Sequence, residues 1–186
     1  MKKGFTLVEM LVAMTITLWI LAATLGQFFL QRRQLNMQEV QVVLDRNTRL
    51  SLMSIGQEIR EIGFDPHRTH AFGITAGDLL SLSYLTDRDG DGVVDPADNG
   101  NIQVVGTDLL LNGSNILSDV SHLHFTYYDK AGNIINVLPV NEQVSPGFFA
   151  DTVAVIQVVL ETQIVNNQGK TLGLSKQSAQ FERKNQ

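Results

Sequence analysis

The densest group of potential cation ligands is the run TDRDGDGVVDPADNG, which begins at Thr86. Calcium takes six to eight oxygen ligands, and a common twelve-residue loop supplies them from positions 1, 3, 5, 7, 9 and 12, with glycine at position 6. Setting Asp87 at position 1 places Gly92 at position 6. The ligand positions are then Asp87, Asp89, Asp91, the carbonyl of Val93, Asp95 and Asp98. This spacing predicts a calcium site.

Position 12 of this loop is Asp98, where EF-hand loops carry a glutamate. In this respect the loop resembles dockerin-type extracellular calcium loops, and the strand pattern before it indicates a structural brace for a β-loop. The alternative is a solvated hairpin tip, because Asp and Gly favour turns in any case. Five aspartates and one arginine within twelve residues repel one another unless a cation neutralises them, which favours calcium.

The four histidines form two pairs that could bind a metal. His67 and His70 are three residues apart near a predicted helix end, and His122 and His124 share one face of a predicted strand. Neither pair has a third ligand nearby in sequence, so ordinary polar roles are favoured. The chain has no cysteine and none of the hydrolase, zinc-protease or phosphate-loop motifs. We predict that it is not an enzyme.

Glu9 is the only charged residue between Phe5 and Leu30, in the run FTLVEMLVAMTITLWILAATLGQFFL. As a helix this run would be about 39 Å long, enough to cross the roughly 30 Å hydrocarbon core of a bilayer. Its thirteen Leu, Ile, Val and Phe residues contribute about −0.3 to −0.6 kcal/mol each, against about +3 kcal/mol for a central acid. Insertion is therefore predicted despite the glutamate.

A carboxylate inside a membrane span indicates a partner of opposite charge. No cation lies within one helical turn of Glu9, so the partner would come from another chain or from a newly made N-terminus. The alternative is that Glu9 lies at headgroup depth and reaches water. Lys2 and Lys3 favour a cytoplasmic N-terminus, although Arg32 and Arg33 weaken the asymmetry.

The string KKGFTLVEMLVA resembles the leader and first helix of type IV prepilins and type II secretion pseudopilins. The resemblance implies that a prepilin peptidase cuts between Gly4 and Phe5 and methylates Phe5. It also implies that Glu9 pairs with the Phe5 ammonium of a neighbouring subunit. Many major pilins carry a helix-kinking proline further along, where this sequence has Gly26. An ordinary secretory signal fits less well, because the apolar run is too long and has no small-residue cleavage site.

The elements that position these residues follow from periodicity. Leu52, Ile55, Ile59 and Ile62 form an apolar stripe at helical spacing, and Gly63 with Asp65-Pro66 ends the helix. Beyond it, four or five strands are predicted in LLSLSYL, IQVV, HLHFTYY, IINVLPV and VAVIQVVLETQIV. The polar stretch KQSAQFERKNQ is predicted to fray.

These elements predict an α+β, pilin-like fold in which a long N-terminal helix packs on a β-rich globular head. The resemblance implies that residues 1–4 are a cleaved leader and that 5–30 are the transmembrane and assembly half of the helix, and 31–63 are predicted as its amphipathic half. Residues 64–186 are the periplasmic or extracellular head, with the calcium-type loop at 87–98. The expected location is a bacterial inner membrane, crossed once with the N-terminus cytoplasmic, and then a pilus or pseudopilus filament.

The segments GDLLSLSYLTDRDGDG and DVSHLHFTYYDKAGN resemble PilW-type minor pilins of type IV pili. The implied function is a minor subunit that primes or tips a filament, with other pilins, the prepilin peptidase and the inner membrane as partners. A J-type minor pseudopilin of a type II secretion system is the alternative. A second alternative is a membrane-tethered calcium-binding or adhesive protein that does not assemble. The net charge of −5 predicts no nucleic-acid partner.

Overall fold

The computed structural model of the chain describes residues 6–69, 71–142, 153–166 and 169–183. These residues form one long α-helix, eight β-strands and one short 3₁₀ turn. They divide into two compact units, with the boundary between Val40 and Gln41. The predicted α+β, pilin-like architecture is confirmed, because a long apolar N-terminal helix precedes a β-rich head of antiparallel sheets. Gly4 and Phe5, the predicted cleavage point, lie outside the described residues.

Helix α1 runs from Leu7 to Glu61. In the first unit its side chains are exposed as far as Glu39. In the second unit one face becomes buried, and the predicted apolar stripe is confirmed as core: Leu52 is 7% exposed, and Ile55, Ile59 and Ile62 are 0% exposed. Gly56 lies on this buried face against the ring of Phe181, where a Cβ would have no room.

The first sheet has five strands, ordered as they occur in the chain: β1 (Ile74–Gly77), β2 (Ser81–Leu85), β3 (Asn99–Val105), β4 (Asp108–Leu111) and β5 (Ser114–Leu117). Every neighbouring pair is antiparallel. The predicted turn Asn112-Gly113 joins β4 to β5, and both of its residues have positive φ, at 52° and 79°. Two-residue hairpin turns of this kind match the twist of the strands, so the Asn-Gly pair sets the register.

The second sheet has three antiparallel strands, β6 (Val120–Tyr128), β7 (Val155–Val165) and β8 (Thr171–Glu182), with β7 in the centre. Burial alternates along β7, and Ile156, Val158 and Leu160 are fully buried. One apolar cluster joins these side chains to the buried face of α1 and to the first sheet. The core of the head therefore lies among the second part of α1 and both sheets.

The strand predictions were right for parts of β2, β3, β6 and β7 and wrong elsewhere. The predicted strand IINVLPV makes only the isolated bridges of Ile134 and Val140, because Pro139 has no N–H to donate to a ladder. Residues 176–182, predicted to fray, belong to β8. That strand reads as polar because one of its faces is exposed, while Gly173, Ser175 and Phe181 are buried on the other.

Candidate functional site

The acidic loop connects β2 to β3, and Asp87 is its buried anchor. The Asp87 side chain is 0% exposed. Its Oδ1 accepts a hydrogen bond from the amide of Gly90 at 2.7 Å, and its Oδ2 accepts one from the amide of Gly92 at 3.0 Å. Both glycines have positive φ, at 77° and 75°. The loop therefore turns tightly around this carboxylate, which places the predicted position 6 glycine where the turn requires it.

Asp89 and Asp91 face the same point as Asp87. One carboxylate oxygen from each of the three residues lies within 4.8 Å of the others. Asp89 Oδ1 accepts from the Asp91 amide at 3.3 Å, and Asp91 Oδ1 accepts from the Val93 amide at 2.7 Å. Within the described residues, the second oxygen of Asp89 and of Asp91 accepts no hydrogen bond. The structure thus gathers three of the six predicted ligands.

Asp95 and Asp98 make a different arrangement around the 3₁₀ turn Pro96–Asp98. Asp95 Oδ1 accepts from the Ala97 amide at 2.7 Å, and Asp98 Oδ2 accepts from the Asp95 amide at 3.0 Å, so the two form a capping box. The other oxygen of Asp98 accepts from the Arg88 amide at 3.0 Å. Neither carboxylate joins the close group of Asp87, Asp89 and Asp91.

The neighbouring carboxylates of the acidic loop change the pKa of Asp89. The hydrogen bond from the Asp91 amide lowers the pKa of Asp89, but desolvation and the carboxylates of Asp91, Asp98 and Asp95 outweigh it and raise this pKa overall. Repulsion among neighbouring carboxylates disfavours the ionised form. A cation bound among Asp87, Asp89 and Asp91 would offset that penalty, because it would lie close to the carboxylate of Asp89 and to that of Asp91.

The acidic loop is fastened to the end of α1 and the turn after it. Arg88 forms an ion pair with Glu58 at 2.8 Å. His67 Nε2 donates to the carbonyl of Gly90 at 2.8 Å, and the His67 ring leaves no room for a Cβ at Gly92. His67 therefore supports the loop backbone, and the other member of its predicted pair, His70, lies outside the described residues. The sequence gives no signal for these contacts because they join residues more than twenty positions apart.

Glu9 lies in the first turn of α1 and caps the N-terminus of the helix together with Thr6. Its Oε2 accepts hydrogen bonds from the amide and the hydroxyl of Thr6, at 2.8 Å and 2.9 Å. The Thr6 hydroxyl accepts in turn from the Glu9 amide at 3.3 Å. This reciprocal pair is a capping box, and T-x-x-E from Thr6 to Glu9 is the sequence signal that indicates it. Oε1 of Glu9 accepts no hydrogen bond within the described residues.

The first unit of α1 suits a membrane. Among the described residues, α1 is the one helix long and apolar enough to span a bilayer by length and composition. The hydroxyls of Thr15, Thr17 and Thr24 donate to backbone carbonyls of the preceding turn at 2.8–3.0 Å. In lipid these bonds satisfy polar groups that water cannot reach.

A buried ion pair joins Glu142 to Arg183, which directly follows β8, and the sequence pattern gave no signal for it. Arg183 Nη1 donates to Glu142 Oε1 at 2.7 Å, and both side chains are 1% exposed. Burial raises the pKa of Glu142, while Arg183 and the amide of Ile74 oppose that rise. Arg183 also donates to the carbonyls of Ile62 and Val153. The pair therefore links β8 and β1 with the turn that follows α1.

Residues 1–25 match the model of the prokaryotic N-terminal methylation motif. No curated protein matches the chain. The predicted resemblance to prepilins is confirmed at the level of this motif, so the N-terminus is a type IV prepilin-like signal. The motif supports a type IV pilin or pseudopilin, implies processing by a prepilin peptidase and assembly with other pilins, and, together with the apolar helix, fits a membrane-anchored protein.

Proposed function

We propose that the chain is a minor subunit of a type IV pilus, of the PilW type, that primes or tips filament assembly through α1. The observation that carries the proposal is the apolar surface of the first unit, which is exposed from Leu7 to Leu30. Most of this stretch belongs to the methylation motif matched by residues 1–25. None of the described residues covers this surface. An apolar surface of this extent requires lipid before assembly and other helices afterwards.

Processing would supply the missing partner of Glu9. Cleavage after Gly4 leaves an ammonium on Phe5, and methylation keeps that charge. Thr6 occupies only Oε2 of Glu9, so Oε1 is available to the Phe5 ammonium of a neighbouring subunit. A charge-assisted hydrogen bond in a medium of low dielectric favours this pairing. Glu9 then both starts the helix and sets the depth at which the next subunit joins.

The assembly step is tested in host cells that carry Glu9→Ala, with Gly26→Ala as the matched control in the same span. No atom outside the helix lies within 4 Å of a Cβ at Gly26. We expect Glu9→Ala to insert in the membrane at the wild-type level and to be depleted from sheared filaments, as quantified by mass spectrometry. Gly26→Ala should enter both fractions normally. Equal incorporation of Glu9→Ala would remove the proposed role of Glu9.

The same samples decide between the functions. N-methylated Phe5 in sheared pili, with loss of piliation on gene deletion, is the expected result. If deletion instead abolishes protein secretion through an outer-membrane channel and leaves pili intact, the chain is a J-type minor pseudopilin. If the protein retains Met1 and never enters a filament, it is a membrane-tethered protein that does not assemble.

We further propose that calcium braces the acidic loop of the head. The observations that support the ion are the convergence of Asp87, Asp89 and Asp91 within 4.8 Å and the raised pKa of Asp89. Carboxylate oxygens are the ligands that calcium takes, and the loop has the glycine that such a turn needs. Asp87, Asp89 and Asp91 would hold the ion, and the other predicted ligands, Val93, Asp95 and Asp98, would join only if the capping box of Asp95 and Asp98 opened. The bound ion would supply positive charge and fix the loop.

A further inference from the structure

One face of the second sheet brings together metal-ligating side chains outside the acidic loop. His122 and His124 are two residues apart on β6, so their side chains project from the same face. Their ring centroids are 6.0 Å apart, and the ring planes differ by 12°. His122 is exposed and His124 is half-buried. The two imidazoles therefore lie side by side and can be reached from solvent.

The neighbouring strand supplies the third ligand that the sequence did not show. Glu161 of β7 is the register partner of His122 on β6. Directly opposite residues of antiparallel strands have Cβ atoms about 4.5–5.5 Å apart. A break in the register lies next to His122, between Val120 and His122. Irregularities of this kind re-aim side chains at functional positions. Two imidazoles and one carboxylate thus share one patch of the sheet, although their ligand atoms do not all lie within 4.8 Å of one another as those of the acidic loop do, so the side chains must turn toward one another to bind one ion.

The nitrogen ligands of this patch are not engaged elsewhere. Within the described residues, neither His122 nor His124 takes part in a hydrogen bond or an ion pair. Glu161 forms an ion pair with Lys176 of β8, whose side chain is 64% exposed. An exposed pair of this kind is weak, and Lys176 can turn into solvent when a stronger partner binds Glu161. The patch can therefore rearrange around a metal at little cost.

We propose that His122, His124 and Glu161 form a binding site for zinc or a similar divalent transition metal. Zinc takes neutral imidazole nitrogens and carboxylate oxygens, and three protein ligands leave a fourth position open. Calcium prefers oxygen ligands only, so the two proposed sites differ in ion preference as well as in location. The open position is available to water or to a ligand from another molecule.

The site is tested by calorimetric titration of the full-length protein with zinc chloride in detergent micelles. Excess calcium is present throughout, so that the acidic loop is offered its own ion. We expect one zinc ion to bind per chain. His122→Ala and His124→Ala should each weaken binding at least about tenfold, since even the outer-shell partners of metal ligands contribute about 10–100-fold. Glu161→Gln should weaken it less, because both imidazoles remain.

Two further variants sharpen the test. Lys176→Met should tighten zinc binding by a factor of about 1.4 to 5, because Glu161 no longer has to leave an ion pair of about 0.2–1 kcal/mol. His67→Ala is the matched control, since it removes a histidine that contacts the acidic loop, and it should leave zinc affinity unchanged. Wild-type affinity in both His122→Ala and His124→Ala would overturn the proposal, and so would a loss confined to His67→Ala.

A second measurement uses the wild-type protein, so it does not depend on whether the variants fold. In ¹H–¹⁵N spectra of the imidazole rings, zinc should shift the signals of two histidines of the wild-type protein and leave the others in place. Zinc that shifts no imidazole signal, or only that of His67, would also overturn the assignment. Displacement of the bound zinc by calcium would mean that the ion occupies the acidic loop instead.

Discussion

Gly26 and Gly56 lie in the same helix and have opposite surroundings. A Cβ at Gly26 would meet no atom within 4 Å outside the helix backbone, whereas a Cβ at Gly56 would collide with the ring of Phe181. The same contrast holds for the apolar side chains. Leu18 and Trp19 in the first unit are 64% and 80% exposed, while Ile55 and Ile59 in the second are 0% exposed.

This contrast separates two kinds of apolar surface. In the second unit, the apolar face of α1 is covered by the chain's own sheets, so it contributes to folding of the head. In the first unit, none of the described residues covers the apolar side chains, so their burial must come from lipid or from other chains. Substitutions of buried residues in the head should therefore change its stability, whereas loss of large apolar side chains in the first unit should change assembly.

We expect the largest effect on stability from substitution of either member of the buried ion pair. Glu142→Gln and Arg183→Met should each destabilise the head by about 3–5 kcal/mol, because the remaining polar group stays buried without its partner. For a chain of this size, 1 kcal/mol corresponds to about 2–4 °C in Tm. Thermal melting of the full-length protein, followed by the near-ultraviolet signal of the head tyrosines, measures the effect.

The control for this prediction is Glu161→Gln in the exposed pair with Lys176. It should change the stability by less than about 1 kcal/mol. Glu9→Ala should leave the Tm of the head unchanged, since Glu9 belongs to the first unit. Similar losses in Glu142→Gln and Glu161→Gln would mean that burial of the pair does not decide its contribution.

The second prediction compares the two glycines directly. Gly56→Ala should destabilise the head by about 1–3 kcal/mol, because the new methyl group forces the ring of Phe181 out of its place. Gly26→Ala should cost nothing and slightly favour the helix, by up to about 1 kcal/mol. Melting curves of the two variants, recorded side by side, test the contrast. A Gly56→Ala variant as stable as Gly26→Ala would contradict the close packing at Phe181.

Calcium should stabilise the head and should not affect the first unit. With a Kd of about 10⁻⁴–10⁻³ M, typical of extracellular modules, 1 mM calcium should add about 0.4–1.4 kcal/mol. Melting with and without calcium, compared with Asp91→Asn, measures this increment. Asp91 is exposed, so the variant should fold and lose most of the increment. An equal rise in Tm in the variant would remove the proposed site.

The smallest expected effect concerns the contact between the acidic loop and the helix. Arg88→Ala should cost about 0.2–1 kcal/mol, because its ion pair with Glu58 is partly exposed. Glu58 also accepts a hydrogen bond from the hydroxyl of Tyr84 at 2.6 Å. Burial, together with that bond, raises the pKa of Tyr84. Glu58→Ala should therefore cost more than Arg88→Ala, which paired melting curves would show.

Short-range sequence patterns were sufficient to predict much of the fold. The stripe from Leu52 to Ile62 identified the buried face of α1 because helical spacing is short-range. The tight turn around Asp87 followed from Asp and Gly spacing for the same reason. β8 was missed because a strand exposed on one face and lined by Gly and Ser on the other resembles a polar tail. IINVLPV was predicted as a strand from its composition alone. Composition does not take into account that Pro139 lacks the N–H that a strand ladder needs.

The sequence by itself determined the apolar N-terminal helix with its methylation motif, the amphipathic stripe and the order of carboxylates and glycines in the acidic loop. These features depend on residues within one or two turns of each other. Only the tertiary structure decided that Glu142 meets Arg183, that His67 supports the acidic loop, and that Glu161 lies opposite His122. Those contacts join residues 23 to 41 positions apart, and strand pairing and core packing bring them together rather than local spacing.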